Sequence, residues 1–235
     1  MNKDEIQSFG GMPPVKAVAF DVVETLFSLD SLRPRLASAG LDGHHLETWF
    51  ASFLRDAFAL EISGEYKPFR NIASANLSLL LEKELGKVDR QAVDHVLDGF
   101  TELVPHDDVA PAMAALREAG IRIATLTNGS VKVTNALLER AGVRDLVEHV
   151  ISIDEIGHWK PHAAVYQSCA EKLQLQPAEV MLVAAHPWDI QGAGQSGLMT
   201  GYVTRGGAPF LSVMSTPDVE GESLTELVGK ITNLE

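Results

Sequence analysis

Beyond Pro105 the chain alternates helix-like and strand-like segments at a nearly constant interval. A helical pattern over 109–119 leads to the apolar run I-R-I-A-T-L (121–126), then a helix over 131–141 and a strand over 148–153. Next come a helix over 162–174, the strand V-M-L-V-A-A (180–185), a helix over 189–196 and the strand M-T-G-Y-V-T (199–204). Strands separated by helices pair through crossovers, so the alternation predicts an α/β fold with a parallel sheet covered on both faces. A sheet of that kind places its site at the carboxyl ends of its strands.

The first strand stands apart from the rest. V-K-A-V-A-F-D (15–21) is a short run of buried-strand type that follows a polar tail, residues 1–14, ending in Pro13-Pro14. Helical patterning then holds from Ser31 to about Leu103. Its clearest stretch is T-W-F-A-S-F-L-R-D-A-F-A-L (48–60), where Trp49, Phe53, Leu54, Ala57 and Leu60 recur on one helix face. G-E-Y-K-P-F (64–69) breaks that helix, a second runs over 71–85, and a third lies near 90–103. The expected division is a core of 15–28 and 104–235 with a helical cap of 29–103 inserted after the first strand. A cap at that point stands over the carboxyl-end crevice as a lid that excludes water.

Composition narrows the classes of function. The chain has 235 residues, 46% of them hydrophobic and 22% charged, an ordinary globular balance. Its 19 Lys and Arg against 32 Asp and Glu give a net charge of −13, with no basic cluster, which argues against nucleic-acid and acidic-membrane partners. One cysteine, Cys169, lies in a helical segment and reads as a small packing residue. A lone cysteine excludes an intrachain disulfide and suits a reducing, cytoplasmic setting. The N-terminus lacks the apolar core of a secretory signal, and no stretch reaches the ~18 apolar residues of a membrane span.

Four segments bring polar groups to the expected site edge: D-V-V-E-T-L-F (21–27), L-T-N-G-S (126–130), W-K-P-H-A-A-V-Y (159–166) and A-A-H-P-W-D-I-Q-G-A (184–193). Any one alone is weak, since Asp21 could cap a turn and Asn128-Gly129 is a common turn pair. An aspartate attacks only when ionised, and a desolvated one needs a nearby cation. Lys160 is the only cation in the four segments.

Together these motifs make the chain resemble the haloacid dehalogenase superfamily of hydrolases, and within it the type II (L-2-haloacid) dehalogenases, over roughly residues 15–205. The resemblance implies a three-layer Rossmann-like core with a mobile helical cap. It matches Asp21 to the nucleophile, Lys160 to the lysine beside it, and Asp189 to the acid that positions lysine and the hydrolytic water. It matches Thr127 and Asn128 to the pair that holds the substrate carboxylate and cradles the halide, Tyr166 to a tyrosine near the lysine, and Trp188 to a pocket aromatic. The implied substrate is a small 2-haloalkanoic acid, with no cofactor. Related enzymes are often dimers, and the cap helices carry enough apolar positions for a homodimer seam.

Departures from that pattern decide between chemistries. Phosphatases of the superfamily resemble each other in an Asp-x-Asp start whose second acid protonates the leaving alkoxide; here Val23 occupies that place. Ala185 replaces the first of their two later acids, which leaves a poor magnesium site. A halide departs without a proton, so both losses favour carbon–halogen displacement through an aspartyl ester. The alternatives are a phosphatase with another proton donor, Glu24 or His186, and a binding protein that has lost turnover. Glu24 stands where glycine is usual, and Ala184-Ala185-His186 replaces a Ser-Ser-Asn run. Phe50 falls where a cap arginine is usual, with Arg55 about one turn further on as a candidate substitute. His186 either serves the halide or the ester-cleaving water, or is a plain loop histidine before Pro187.

Overall fold

The computed structural model describes residues 14–207 and 209–233. Most of the 1–14 tail therefore lies outside the described residues. Strand β1 (Ala17–Phe20) is buried along its whole length, as an apolar run covered on both faces should be. It occupies the middle of a six-stranded sheet with β4 (Arg122–Thr127), β5 (His149–Ser152), β6 (Val180–Ala184), β7 (Met199–Val203) and β8 (Val219–Gly221). The order is β5-β4-β1-β6-β7-β8 and every pairing is parallel. Chain order reverses at β1, with β4 on one side and β6 on the other, so the carboxyl end of β1 is the crevice of the sheet.

A two-stranded antiparallel ribbon, β2 (Phe27–Ser28) with β3 (Val104–Pro105), marks where the chain leaves the sheet layer and returns. Between them run α1 (Arg33–Ser38), α2 (His45–Ile62), α3 (Phe69–Leu85) and α4 (Arg90–Asp98). Crossovers of the sheet are made by α5 (Val109–Glu118), α6 (Val131–Arg140), α7 (Ala163–Leu173) and α8 (Pro187–Gln195), and α9 (Leu224–Ile231) follows β8. The sheet with helices on both faces is the three-layer α/β arrangement that the alternation implies.

Three details differ from the pattern in the sequence. The pattern assigns no element beyond residue 204, yet β8 and α9 complete the sheet edge; β8 has only three residues, too few to show a period. Helix α2 buries Leu46, Trp49, Phe50, Phe53 and Ala57, a face turned slightly from the expected one, so Leu54 and Leu60 sit half-buried at its rim. Helix α8 begins two residues early because Pro187 takes its first turn, where the missing N–H costs nothing.

The helical segment seats on the sheet layer through aromatic rings. Phe53 of α2 meets Trp159 edge-on at 5.6 Å, and Phe69 stacks on the same indole at 6.2 Å. Trp159 is fully buried and precedes Lys160 in the chain. Polar bonds flank the rings. Glu61 accepts from the Trp159 N–H at 2.8 Å and lies 2.8 Å from His158 Nδ1. Trp159 Nε1 donates to Lys67 O at 2.9 Å, and Tyr66 OH donates to Asp154 at 2.5 Å. The loop that carries the candidate lysine is thus gripped by the end of α2 and the turn after it.

Candidate active site

Asp21 follows the last residue of β1, and its N–H continues the ladder to Val183 O at 2.9 Å. Parallel pairing on both sides therefore sets where its side chain emerges. Oδ1 accepts from Lys160 Nζ at 2.7 Å, and Oδ2 accepts from Thr25 Oγ1 at 2.7 Å. Lys160 Nζ makes two further bonds, to Asp189 Oδ2 at 2.7 Å and Leu126 O at 2.9 Å. All three positions of the ammonium are used, and the side chain is 0% exposed. Tyr166 OH closes the chain on Asp189 Oδ1 at 2.7 Å.

Burial alone would push the Asp21 carboxyl up. The Lys160 ammonium, with His186, outweighs it and holds Asp21 well below the usual carboxylate range. Lys160 is likewise held above its ordinary value, because Asp189 and Asp21 outweigh the burial that disfavours its charge. Burial pushes Asp189 upward against the attraction of Lys160, and burial beside Asp189 raises Tyr166 well above the ordinary phenol. These surroundings favour an ionised Asp21 and a protonated Tyr166 that donates to Asp189.

The other expected residues gather around this group. Thr127 ends β4, and Asn128 spends its Oδ1 on the Lys160 N–H at 3.2 Å, so its Nδ2 end is the part that can serve an anion. Thr127 Oγ1 accepts from the Gly129 N–H at 2.9 Å, which shapes the turn into α6. Trp188 lies with its ring 5.8 Å from Lys160 Nζ and packs against Phe58 of α2 at 5.2 Å. Phe50 descends from α2 to within 6.3 Å of the His186 ring, so the helix does cover the strand ends. An apolar cavity of about 160 Å³ opens beside the site, with Val22, Val23, Phe69, Phe100 and Thr127 among its walls.

Arg55 does not join them. It is 67% exposed and pairs with Asp56 at 2.7 Å, so it cannot substitute for the cap arginine. The position that comes nearest to doing so is His186, whose Nδ1 lies 3.4 Å from Asp21 Oδ2 and whose Nε2 lies 3.4 Å from Glu24 Oε2. Burial works against charge on this imidazole, but Asp21 and Glu24 outweigh it and push its pKa up to about 9. Two flanking carboxylates thus favour the protonated form of the ring.

Several contributors carry no role in the sequence reading. Thr25 bonds Asp21 and also accepts from the Ala185 N–H at 3.0 Å, tying the first and fourth segments together. Its signal was its place in the D-V-V-E-T motif. Arg205 donates to Thr25 O at 2.8 Å and grips Asp108 through Nη1 at 2.7 Å and Nη2 at 2.9 Å. Nothing local marks that arginine. Gly192 sits where a Cβ would come within 2.5 Å of both Pro161 Cβ and Tyr166 OH, so its small size lets α8 approach Tyr166.

The fold and this buried Asp–Lys–Asp chain at the strand ends define a class: enzymes that attack with an aspartate at the carboxyl edge of a parallel sheet. The model of the haloacid dehalogenase-like hydrolases matches residues 15–197, and the chain belongs to that family. Among curated relatives, haloacetate dehalogenase H-2 of Moraxella sp. (strain B) is 28% identical over 88% of this chain and 93% of its own. An (S)-2-haloacid dehalogenase of Pseudomonas sp. (strain YL) is also 28% identical, over 92% and 94%. The solved L-2-haloacid dehalogenase from Xanthobacter autotrophicus superposes with a TM-score of 0.86 at 26% identity, covering 94% of this chain and 100% of that one. No helix among the described residues is long and apolar enough to cross a membrane.

Magnesium, which the phosphatase branch of the superfamily implies, needs near-octahedral oxygen ligands. Around Asp21, Val23 and Ala185 offer no carboxylate, Lys160 occupies Oδ1, and Thr25 and His186 face Oδ2. The residues present do not fit that ion.

Proposed function

We propose that the chain hydrolyses the carbon–halogen bond of a small 2-haloalkanoic acid through an ester on Asp21. The observation that carries this reading is an ionised Asp21 clamped by buried Lys160, with apolar Val23 where a proton donor to the leaving group would stand. Asp21 attacks the halogen-bearing carbon and halide leaves as a stable anion. Thr127, the Asn128 amide and the N–H groups at the start of α6 hold the substrate carboxylate, since a helix N-terminus favours an anion. Phe50, Trp188 and Phe58 make the roof apolar and keep water from the displacement step. The Xanthobacter autotrophicus enzyme has been solved with chloropropionic acid covalently bound, which supports the same route here.

The partner we assign is therefore a small carboxylate. A net charge of −13 disfavours nucleic acid and anionic membranes, and a single buried cysteine, its thiol pushed up to about 12 by burial, suits the cytoplasm. Halide release from 2-chloropropionate, bromoacetate and fluoroacetate, run beside p-nitrophenyl phosphate with magnesium or chelator, tests the reading. Halide release that Asp21→Asn abolishes is the expected result. Metal-dependent phosphate release without halide would overturn it.

A further inference from the structure

His158 and His162 flank Lys160 in the run H-W-K-P-H, and no step of the proposed reaction uses them. Their rings stack face to face, with centroids 4.0 Å apart and planes 8° from parallel. Glu61, near the end of α2, reaches both: Oε1 lies 2.8 Å from His158 Nδ1 and 4.0 Å from His162 Nε2. The other oxygen, Oε2, accepts from the Trp159 N–H at 2.8 Å, which turns Oε1 toward the rings. Among the described residues this is the only trio of His, Cys, Asp and Glu side chains whose ligand atoms all lie within 4.8 Å of one another. The trio lines an open cavity of about 680 Å³, shared with Phe58, Tyr66 and Pro161 and separate from the one beside Val23.

We propose that Glu61, His158 and His162 bind a divalent transition-metal ion of the zinc class, which ties the end of α2 to the loop carrying Lys160. The donor set decides the metal. Two imidazoles and one carboxylate make a three-ligand shell that zinc accepts, with the fourth position left to water from the cavity. Magnesium and calcium take oxygen ligands, so two nitrogens serve them poorly.

Zinc bonds of about 2.0–2.2 Å hold the ligand atoms of a tetrahedral site roughly 3.3–3.6 Å apart. The separations from Glu61 Oε1, 2.8 and 4.0 Å, bracket that spacing. An ion must lie in the plane of each imidazole that binds it, so the stacked rings have to turn apart about Cβ–Cγ. The side chains are 43% and 42% exposed, and the cavity leaves room for that turn. The contact between His158 and Glu61 is then replaced by bonds from both to the ion. With the metal on Nε2, the His162 ring proton moves to Nδ1, and the 3.2 Å bond from the Ala164 N–H passes to water at the exposed start of α7. The Trp159 N–H keeps its hold on Glu61, the kind of outer partner that orients a ligating carboxylate. Because 97 residues separate Glu61 from His158, the ion closes a long loop and its binding adds to the stability of the folded chain.

Chelator-stripped protein without an affinity tag, titrated with Zn²⁺ by calorimetry, tests this. One ion should bind per chain, and at a free concentration of about 100 times Kd the melting temperature should rise by roughly 5–10 °C. Co²⁺ should show the visible absorption of a four-coordinate ion, and Mg²⁺ should leave the melting temperature unchanged. His158→Gln, His162→Asn and Glu61→Gln should each weaken Zn²⁺ by at least about 10- to 100-fold, the loss that removal of even an outer-shell partner brings. His162→Asn retains a side-chain oxygen to cap α7, and both histidine variants should melt close to the metal-free parent, which separates lost binding from lost fold. His44 and His45, stacked at 4.2 Å, form a second imidazole pair, and replacing both by Gln should leave Zn²⁺ binding as in the parent. Asp21→Asn, which alters the pocket around His186, should do the same. The assignment would be overturned by the absence of saturable Zn²⁺ binding, by an equal thermal shift with Mg²⁺ or by binding that survives His158→Gln and His162→Asn. Binding lost with Asp21→Asn or with the His44 and His45 replacements would also overturn it.

Discussion

Lys160→Met keeps the length of the buried side chain and deletes its charge. Asp21 and Asp189, each 2.7 Å from the same nitrogen, then face one another without a cation between them. At an effective dielectric of about 20, a unit pair roughly 4 Å apart is worth about 4 kcal/mol. Losing that from Asp21 moves its ionisation up by about 3 pH units. Stability should fall by about 3–5 kcal/mol, the cost of stripping one partner from a buried ion pair. For a chain of this size that is a drop of roughly 6–20 °C in Tm. The Asp21 share of the pH dependence should also reverse, adding to that of Asp189, which burial already raises in the parent. In the parent, the folded Asp21 value lies below the unfolded one, so its stabilisation is full above about pH 4 and fades only as acid approaches the folded value. In the variant, one carboxylate of the pair is raised above its unfolded value, so its contribution is present at low pH and lost as pH rises. Thermal melts at intervals between pH 5 and pH 8 read both effects, and intact mass after 2-chloropropionate reads ester formation. Lys160→Met with Asp189→Asn should recover about half of the lost stability. A single variant that melts within about 2 °C of the parent and gains nothing on acidification, or a double variant no better than the single, would refute the buried-charge account.

Three further substitutions probe the frame around the site. Tyr166→Phe deprives buried Asp189 Oδ1 of its donor and should cost about 1–3 kcal/mol in urea unfolding, with slower halide release. Gly192→Ala drives a methyl against Pro161 and Tyr166 and should cost about 1–3 kcal/mol while displacing the Tyr166 hydroxyl; a crystal structure of the variant and its Tm check both parts. Arg205→Ala frees the Thr25 carbonyl and leaves half-buried Asp108 with the Leu224 N–H but no cation; it should cost about 1–3 kcal/mol and lower kcat more than it raises KM, because the turn under Asp21 slackens.

The chemistry of the site was legible because it is written in short local units. Asp21, Thr127, Lys160 and Asp189 each lie where a strand or the loop after it meets the carboxyl edge, and a parallel sheet brings such points together whatever its side chains. Val23 and Ala185 could be read as missing acids for the same reason, since their places follow from the spacing within a motif. The β8–α9 edge was not legible, because a three-residue strand has no period.

What the sequence alone determined, then, was the α/β class, the edge of the sheet where the candidate site gathers and the two acids and the lysine that meet there. Only tertiary structure decided which departures act together. Glu24 and His186 meet because a left-handed turn after β1 and the start of α8 are packed side by side, and Arg55 is excluded because α2 turns Phe50 inward instead. Helix periodicity tells which residues share a face but not what that face will cover, and the partner of a charged side chain is set by packing between segments distant in the chain.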